Sequence, residues 1–169
     1  MPLPGEDTMP TNNYELSTRN EIADIISGMR VDRPAAVIAN GTNTLFNIVG
    51  GRVLVTGFLG EVVTDMDASL STIRASALTT DATAVITQLS GATGTLASKT
   101  ASVMITLPAL VASDMTISTG TSAALFNAAP PYVVKTGAFN MVAGAANTGT
   151  AKWSIWYIPL DDGAYVTAA

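Results

Sequence analysis

The stretch Lys152–Ala169, KWSIWYIPLDDGAYVTAA, contains both tryptophans of the chain and two of its four tyrosines. Its first part predicts a β-strand over 151–158, in which successive side chains point to opposite faces. The two faces carry Trp153, Ile155 and Tyr157 on one side and Trp156 and Ile158 on the other. Asp161-Asp162-Gly163 predicts a polar turn before a second strand at 164–167. A strand that is apolar on both faces needs two covers, so the stretch indicates a core on one side and a contact surface on the other.

The chain from residue 36 onward has the same β character. Val, Ile and Thr are frequent there, and Gly, Asn and Asp interrupt them at short intervals, with Asn40-Gly41 and Gly50-Gly51 predicted as turns. The other candidate strands are 36–39, 44–49, 52–59, 69–77, 82–89, 101–107, 114–118, 131–135 and 138–142. Short strands at this spacing are typical of an all-β antiparallel sandwich, and we expect the jelly-roll version of it.

Strand 52–59 is also apolar on both faces. Simple alternation places Val53 and Val55 on one side and Leu54 and Phe58 on the other. An antiparallel sandwich strand ordinarily keeps one face in water. The second apolar face therefore needs a cover, which a helix, a loop or another chain can supply.

The first 33 residues differ from the rest in composition. Residues 1–33 hold nine charged residues, six acidic and three basic, whereas the remaining 136 residues hold twelve. This shift predicts a boundary near Pro34, between an N-terminal unit at 1–33 and a β-sandwich domain at 34–169. Residues 1–16 contain three prolines, which forbid a helix, and they predict an extended arm that is disordered in isolation. The functional alternative is an arm that orders on a partner surface.

One short amphipathic helix is predicted over 18–29. Thr18 and Glu21 have the spacing of a capping box, which satisfies free backbone N–H groups at the start of a helix. The apolar stripe of this helix consists of Ile22, Ile25, Ile26 and Met29. The stripe either packs on its own β-domain or docks on a neighbouring subunit. With Trp156 and Ile158, these residues are the candidate interface.

Composition excludes several classes of function. The net charge is −5 and the eight Lys and Arg residues are scattered, so neither nucleic-acid binding nor a polybasic membrane patch is expected. The sequence also has no secretory signal pattern and no apolar run of about 18 residues for a membrane span. Only 12% of the residues are charged, about half of the ordinary share. Such a surface is easily desolvated, which favours a chain covered by other subunits over a monomer with a Thr-rich surface.

The chain has no histidine and no cysteine. Disulfides, thiolate nucleophiles and Cys-based metal sites are thus excluded, and the commonest general base is missing. Asp65 with Asp67, and the Asp161-Asp162 pair, could offer oxygens to calcium, but neither forms a spaced multi-ligand loop. Trp153 and Tyr157 share a face that could stack on a sugar, although Ile155 between them favours core packing. We expect no enzyme activity and no cofactor.

Two segments, Asn43–Val63 (NTLFNIVGGRVLVTGFLGEVV) and Asn147–Ala169 (NTGTAKWSIWYIPLDDGAYVTAA), form a paired sequence pattern. The residues that carry it are Asn43, Thr44, Leu45, Phe46, Gly50, Gly51, Val53, Val55, Gly60, Glu61 and Val62, then Lys152, Trp153, Tyr157, Pro159, Leu160, Asp161, Gly163, Ala164, Val166 and Ala169. The pattern resembles that of small structural proteins of tailed bacteriophages. In such proteins an NTLF–GG–V–V–GEV block precedes a W–YIPLDDGA–V–AA block.

This resemblance implies a component of the virion, of the capsid decoration or head-associated type, and it supplies no catalytic residues. The leading hypothesis is a cement protein, a homotrimer on the outer capsid surface that bridges and stabilises subunits of the major capsid protein. The alternative is a receptor- or glycan-binding module of a head fibre or tail. A cell-wall hydrolase acting through a carboxylate pair is a third hypothesis, which the lack of His and Cys disfavours.

Overall fold

The computed structural model describes residues 28–69, 71–80, 86–92, 95–108, 113–118 and 131–169. Within these ranges the chain contains no helix, and eleven strands form two antiparallel sheets that pack as a β-sandwich. The strands are β1 (Met29–Ile38), β2 (Gly41–Val49), β3 (Val53–Thr64), β4 (Ile73–Thr79), β5 (Ile86–Gln88), β6 (Met104–Thr106), β7 (Thr116–Ser118), β8 (Tyr132–Val134), β9 (Gly137–Ala143), β10 (Asn147–Pro159) and β11 (Tyr165–Ala168).

Each sheet combines strands that are distant in sequence. The first sheet has the order β1-β10-β3-β6-β7, with β8 also paired to β3, and the second has the order β11-β2-β9-β4-β5. Aromatic rings join the sheets: the ring centroid of Phe58 in β3 lies 5.1 Å from that of Phe139 in β9 and 5.4 Å from that of Trp153 in β10. All three side chains are buried, so the core lies between the sheets.

The predicted all-β sandwich is confirmed, and each predicted strand has a counterpart at its place in the chain. The largest difference is β1, which begins seven residues before the predicted strand 36–39. Its charged start pairs with β10, Arg30 lying opposite Trp156 and Arg33 opposite Trp153. A register shift between Arg33 and Ala36 accommodates Pro34, which has no N–H to donate, and β1 lies at a sheet edge where such a residue is tolerated.

This early start corrects two predictions about the N-terminal unit. Met29 does not belong to a helix, because it begins β1 and lies opposite Tyr157. The boundary placed between residues 33 and 34 falls inside β1, so the sandwich includes residues from Met29 onward. Residues 18–27 of the predicted helix, with Ile22, Ile25 and Ile26, lie outside the described residues, as does the predicted arm at 1–16.

The face assigned to Phe58 was wrong. Phe58 lies in the core with Val53 and Val55, at 1% exposure, rather than beside Leu54. The register between β10 and β3 shifts at this point, since Trp156 pairs with Gly57 whereas Tyr157 pairs with Val55. This β-bulge inserts one extra residue and exchanges the two faces of the strand beyond it.

Candidate functional site

The two blocks of the paired sequence pattern meet in the structure as neighbouring strands. In the first sheet β3 pairs with β10, which sets Gly60 opposite Trp153 and Glu61 opposite Lys152. The Lys152 ammonium lies 2.9 Å from a Glu61 carboxylate oxygen. In the second sheet β2 pairs with β11, which sets Ile48 opposite Val166. The blocks thus contact each other in both sheets, and they form one continuous unit at one side of the sandwich.

The turns that follow β2 and β10 are also in contact. Gly50 has φ 78°, and any side chain there would run into the backbone carbonyl of Gly163. Gly51 has φ 154°, and a Cβ at that position would come within 2.6 Å of the Asp161 Cβ. Both positions of the turn after β2 therefore need glycine, because the positive φ and the close approach of the other turn exclude a side chain.

An ion pair closes this junction between turns. The Arg52 guanidinium donates to both Asp161 oxygens, with Nη2 2.6 Å from Oδ1 and Nε 3.0 Å from Oδ2, and the Arg52 backbone N–H donates to Oδ2 at 2.6 Å. These hydrogen bonds, first those of the Arg52 side chain and then that of its backbone, lower the pKa of Asp161 from 3.8 to about 2. The two residues are 109 positions apart, so no spacing in the sequence signals the contact.

Acid should weaken this junction. Since the pKa of Asp161 is lower in the folded chain than in the unfolded one, the pair contributes stability above about pH 4, and that contribution is lost as the pH falls toward 2. Replacing Asp161 with Asn should lower the melting temperature at pH 7 and flatten its decline between pH 4 and pH 2. Asp162→Asn, in the same turn, is the matched control. Indistinguishable melting profiles for the two variants would contradict the assignment.

The outer face of the first sheet carries a row of apolar side chains across three adjacent strands. Ile158 of β10 lies opposite Leu54 of β3, and Leu54 lies opposite Val133 of β8. Trp156 stands two residues from Ile158 on the same face, and we call these four residues the apolar strip. Val133 is 57% exposed, and the other three side chains are half-buried. This outer face is the second apolar face, which the sequence predicts to be covered by a helix, a loop or another chain.

Polar groups border the apolar strip at the β1 edge. The Arg30 guanidinium carbon lies 5.2 Å from the centroid of the Trp156 ring, a cation–π distance, and the Arg30 Nε lies 2.7 Å from an Asp32 oxygen. The Ser154 hydroxyl donates to the same oxygen. Partial burial favours the neutral acid, but the hydrogen bonds from Ser154 and Arg30 outweigh it and hold the pKa of Asp32 below its usual value. With Lys152, these groups line a shallow groove of about 310 Å³.

Three of the acidic residues considered as calcium ligands, Asp65, Asp67 and Asp161, have protein partners. Asp67 accepts hydrogen bonds from the backbone N–H groups of Ser69 and Thr148 and from the Thr148 hydroxyl, and these bonds lower its pKa to about 2. Asp65 accepts one from the backbone N–H of Ala101. In the described part of the chain no three His, Cys, Asp or Glu residues cluster as metal ligands do. These carboxylates hold loops in place.

The aromatic platform considered for sugars lies in the core. Trp153 and Tyr157 do share a face, but they are only 2% and 4% exposed. The interface candidates Trp156 and Ile158 lie on the outer face, whereas Met29 lies at the end of β1 and is 41% exposed. The polar groups around Arg30 and the Arg52–Asp161 pair were missed by the sequence reasoning, because each joins residues more than a hundred positions apart.

Comparison with known proteins gives no relative for this chain. No protein-family model matches it, and neither a curated protein nor a solved structure does. Among the described residues, no helix is long and apolar enough to cross a membrane.

Proposed function

We propose that this protein is a structural component of a tailed-bacteriophage virion, a decoration or cement protein that stabilises the capsid from outside. The observation that carries the proposal is the contact between the two blocks of the phage-type sequence pattern. Gly60 and Glu61 of one block are direct partners of Trp153 and Lys152 of the other. Because the two matching blocks form one connected unit of the fold, the resemblance is more specific than two similarities in separate parts of the structure would be.

The strand order supports the finer part of the proposal, a jelly-roll body. The sets β1-β10-β3-β6 and β2-β9-β4-β5 follow the order of an eight-stranded double Greek key, to which β7, β8 and β11 are additions. Jelly rolls are frequent among capsid proteins and lectins. The fold alone does not choose between these functions.

Surface chemistry favours a mechanical role over a catalytic one. With 12% charged residues, much of the surface can be desolvated at little cost, and the apolar strip offers a side for contacts. In the proposed mechanism many copies, arranged as homotrimers, bury area across joints between major capsid subunits and so resist the pressure of the packaged genome. Closed cyclic symmetry makes each trimer self-limiting.

The N-terminal segment should be required for binding to the capsid. Because β1 begins at Met29, the clean truncation removes residues 1–27; removing 1–33 would also take half of β1. We expect the truncated protein to keep its β-sheet circular dichroism and to lose binding to expanded heads in a sedimentation assay. The full chain is the control for binding. If the folded truncated protein sedimented with heads as well as the full chain does, the N-terminal segment would not be required for capsid binding.

The glycan-binding alternative predicts a different result. It requires an exposed aromatic surface, and Trp156, beside the polar groove, is the described tryptophan nearest to that requirement. Purified protein applied to a glycan array distinguishes the two functions. Saturable binding to a sugar class, lost in Trp156→Ala, together with no binding to bare heads, would favour the alternative.

A further inference from the structure

The connection between β1 and β2 contains the one asparagine–glycine pair of the sequence. Of the nine asparagines in the chain, only Asn40 is followed by glycine. β1 ends at Ile38 in the first sheet and β2 begins at Gly41 in the second, so Asn40 lies where the chain passes from one sheet to the other. Asn40 is exposed, and the hydrogen bonds of the described residues do not engage its side-chain amide. The amide is therefore able to turn toward the backbone nitrogen of Gly41.

The side chain of Asn43 fixes the backbone on both sides of Asn40. Its Nδ2 donates to the carbonyl oxygen of Ala39 at 2.8 Å and to that of Gly41 at 3.1 Å, and its Oδ1 accepts from the backbone N–H of Ala39 at 3.1 Å. Gly41 has φ 86°, and a Cβ built there would have no atom within 4 Å. The connection is thus held at its two ends by one amide, while the space beside Gly41 is open.

We propose that Asn40 is a site of spontaneous covalent modification, deamidation through a cyclic imide. The Gly41 backbone nitrogen attacks Cγ of Asn40, so an N–Cγ bond forms as the Cγ–Nδ2 bond breaks, and ammonia leaves with the proton of the Gly41 N–H. Water then adds across one of the two imide C–N bonds, which yields either aspartate or isoaspartate at position 40. Glycine favours the attack because it has no Cβ to hinder the approach of its nitrogen.

The reaction consumes one water molecule, releases one ammonia molecule and involves no oxidation or reduction. An exposed asparagine has the water at hand, and the neighbouring glycine supplies the nucleophile. The inference concerns the chemistry of this connection and does not depend on the proposed virion role.

Isoaspartate at position 40 should loosen the passage between the sheets. In isoaspartate the main chain runs through the former side chain, so one additional carbon atom separates Ala39 from Gly41. The connection has only two residues between the strands, and the Asn43 amide bonds the backbone on both sides of the inserted atom. The three hydrogen bonds of Asn43 cannot all keep their lengths after that insertion. The aspartate product has an ordinary backbone and an exposed charge, so it should leave these bonds intact.

Peptide mapping by mass spectrometry tests the reaction on the full chain. Purified protein is aged in mildly alkaline buffer, and isoaspartate is located with a carboxyl methyltransferase specific for it. We expect Asn40 to convert at least about tenfold faster than Asn47, because the residue after Asn47 is the branched Ile48 within the β2 ladder. Gly41→Ala should slow the conversion of Asn40. Asn40→Gln should abolish the signal at this position, because a glutamine side chain would have to form a larger ring.

Two results would overturn the proposal. Equal conversion rates for Asn40 and Asn47 in the folded protein would mean that the connection does not permit the attack. Conversion of Asn40 in urea, with none in the folded protein, would mean that the fold protects the amide.

A charge-matched variant separates the effect of the inserted carbon from that of the added charge. Asn40→Asp carries the new charge on an ordinary backbone and should melt like the wild type. Protein enriched in isoaspartate should melt about 2–4 °C lower, the shift that corresponds to the net contribution of about one hydrogen bond in a chain of this size. In Asn43→Ala the three bonds are already absent, so ageing should no longer lower the melting temperature. If Asn40→Asp melted as low as the aged protein, the added charge would be the cause and the role given to Asn43 would be wrong.

Discussion

Trp153→Ala is expected to cost about 3–5 kcal/mol of unfolding free energy, the usual penalty for truncating a large buried aromatic residue. The Trp153 ring is 2% exposed and stacks on Phe58, with 5.4 Å between ring centroids and 26° between planes. Phe58 in turn contacts Phe139 of the opposite sheet. Loss of the indole therefore leaves a cavity where the two sheets meet, and the surrounding rings fill it only in part.

Trp156→Ala is the matched control for this prediction. It removes the same side chain from the same strand, but on the outer face, where the indole is half-buried and faces Arg30. Urea unfolding followed by circular dichroism measures both variants, and the slope with denaturant should remain similar if both unfold in two states. An equal loss of unfolding free energy in the two variants would show that the core does not centre on Trp153.

Gly60→Ala should be the second severe substitution, with a cost of about 1–3 kcal/mol or more. A Cβ at Gly60 would lie 2.6 Å from Cε3 of the Trp153 ring and closer still to the adjacent ring carbon. The indole packs closely against its cross-strand partner Gly60, and it cannot retreat because Phe58 stacks on it. The added methyl must therefore displace the ring or separate the strands.

A double-mutant cycle isolates this contact. In a Trp153→Leu background the ring atoms that oppose the methyl are gone, so Gly60→Ala should become nearly neutral. Gly41→Ala is the control: the space around Gly41 is open, but its φ is 86°, so the substitution should cost about 1 kcal/mol in either background. A Gly60→Ala penalty that is the same in both backgrounds would mean that its origin is not the indole.

The existence of the strands could be predicted from the sequence, because alternation and turn residues are local signals. The faces of β3 could not, since the bulge at Gly57 is fixed by pairing with β10, almost a hundred residues away. The start of β1 was missed for a related reason. Arg30, Asp32 and Pro34 have little strand preference, and they become strand residues only through their pairing with β10.

The candidate site likewise has one part that could be predicted from the sequence and another part that could not. Alternation alone separated Trp153 from Trp156, and the structure confirms that the first lies in the core and the second on the outer face. The contribution of Leu54 and Val133 to the outer face depends on the order β10-β3-β8, which no local pattern contains. The Arg52–Asp161 pair likewise requires two turns from opposite parts of the chain to meet.

The strand order has a consequence for how the chain folds. None of β1, β2, β3 and β4 pairs with another of these four strands; their partners include β9, β10 and β11. A nascent chain synthesised as far as Thr79 thus has no hairpin among these strands to nucleate on, and neither sheet can be completed before residues 137–159 are synthesised. Such high contact order slows folding, typically to milliseconds or seconds. During that wait the apolar strands are exposed, so expression at low temperature or with chaperones should raise the soluble yield.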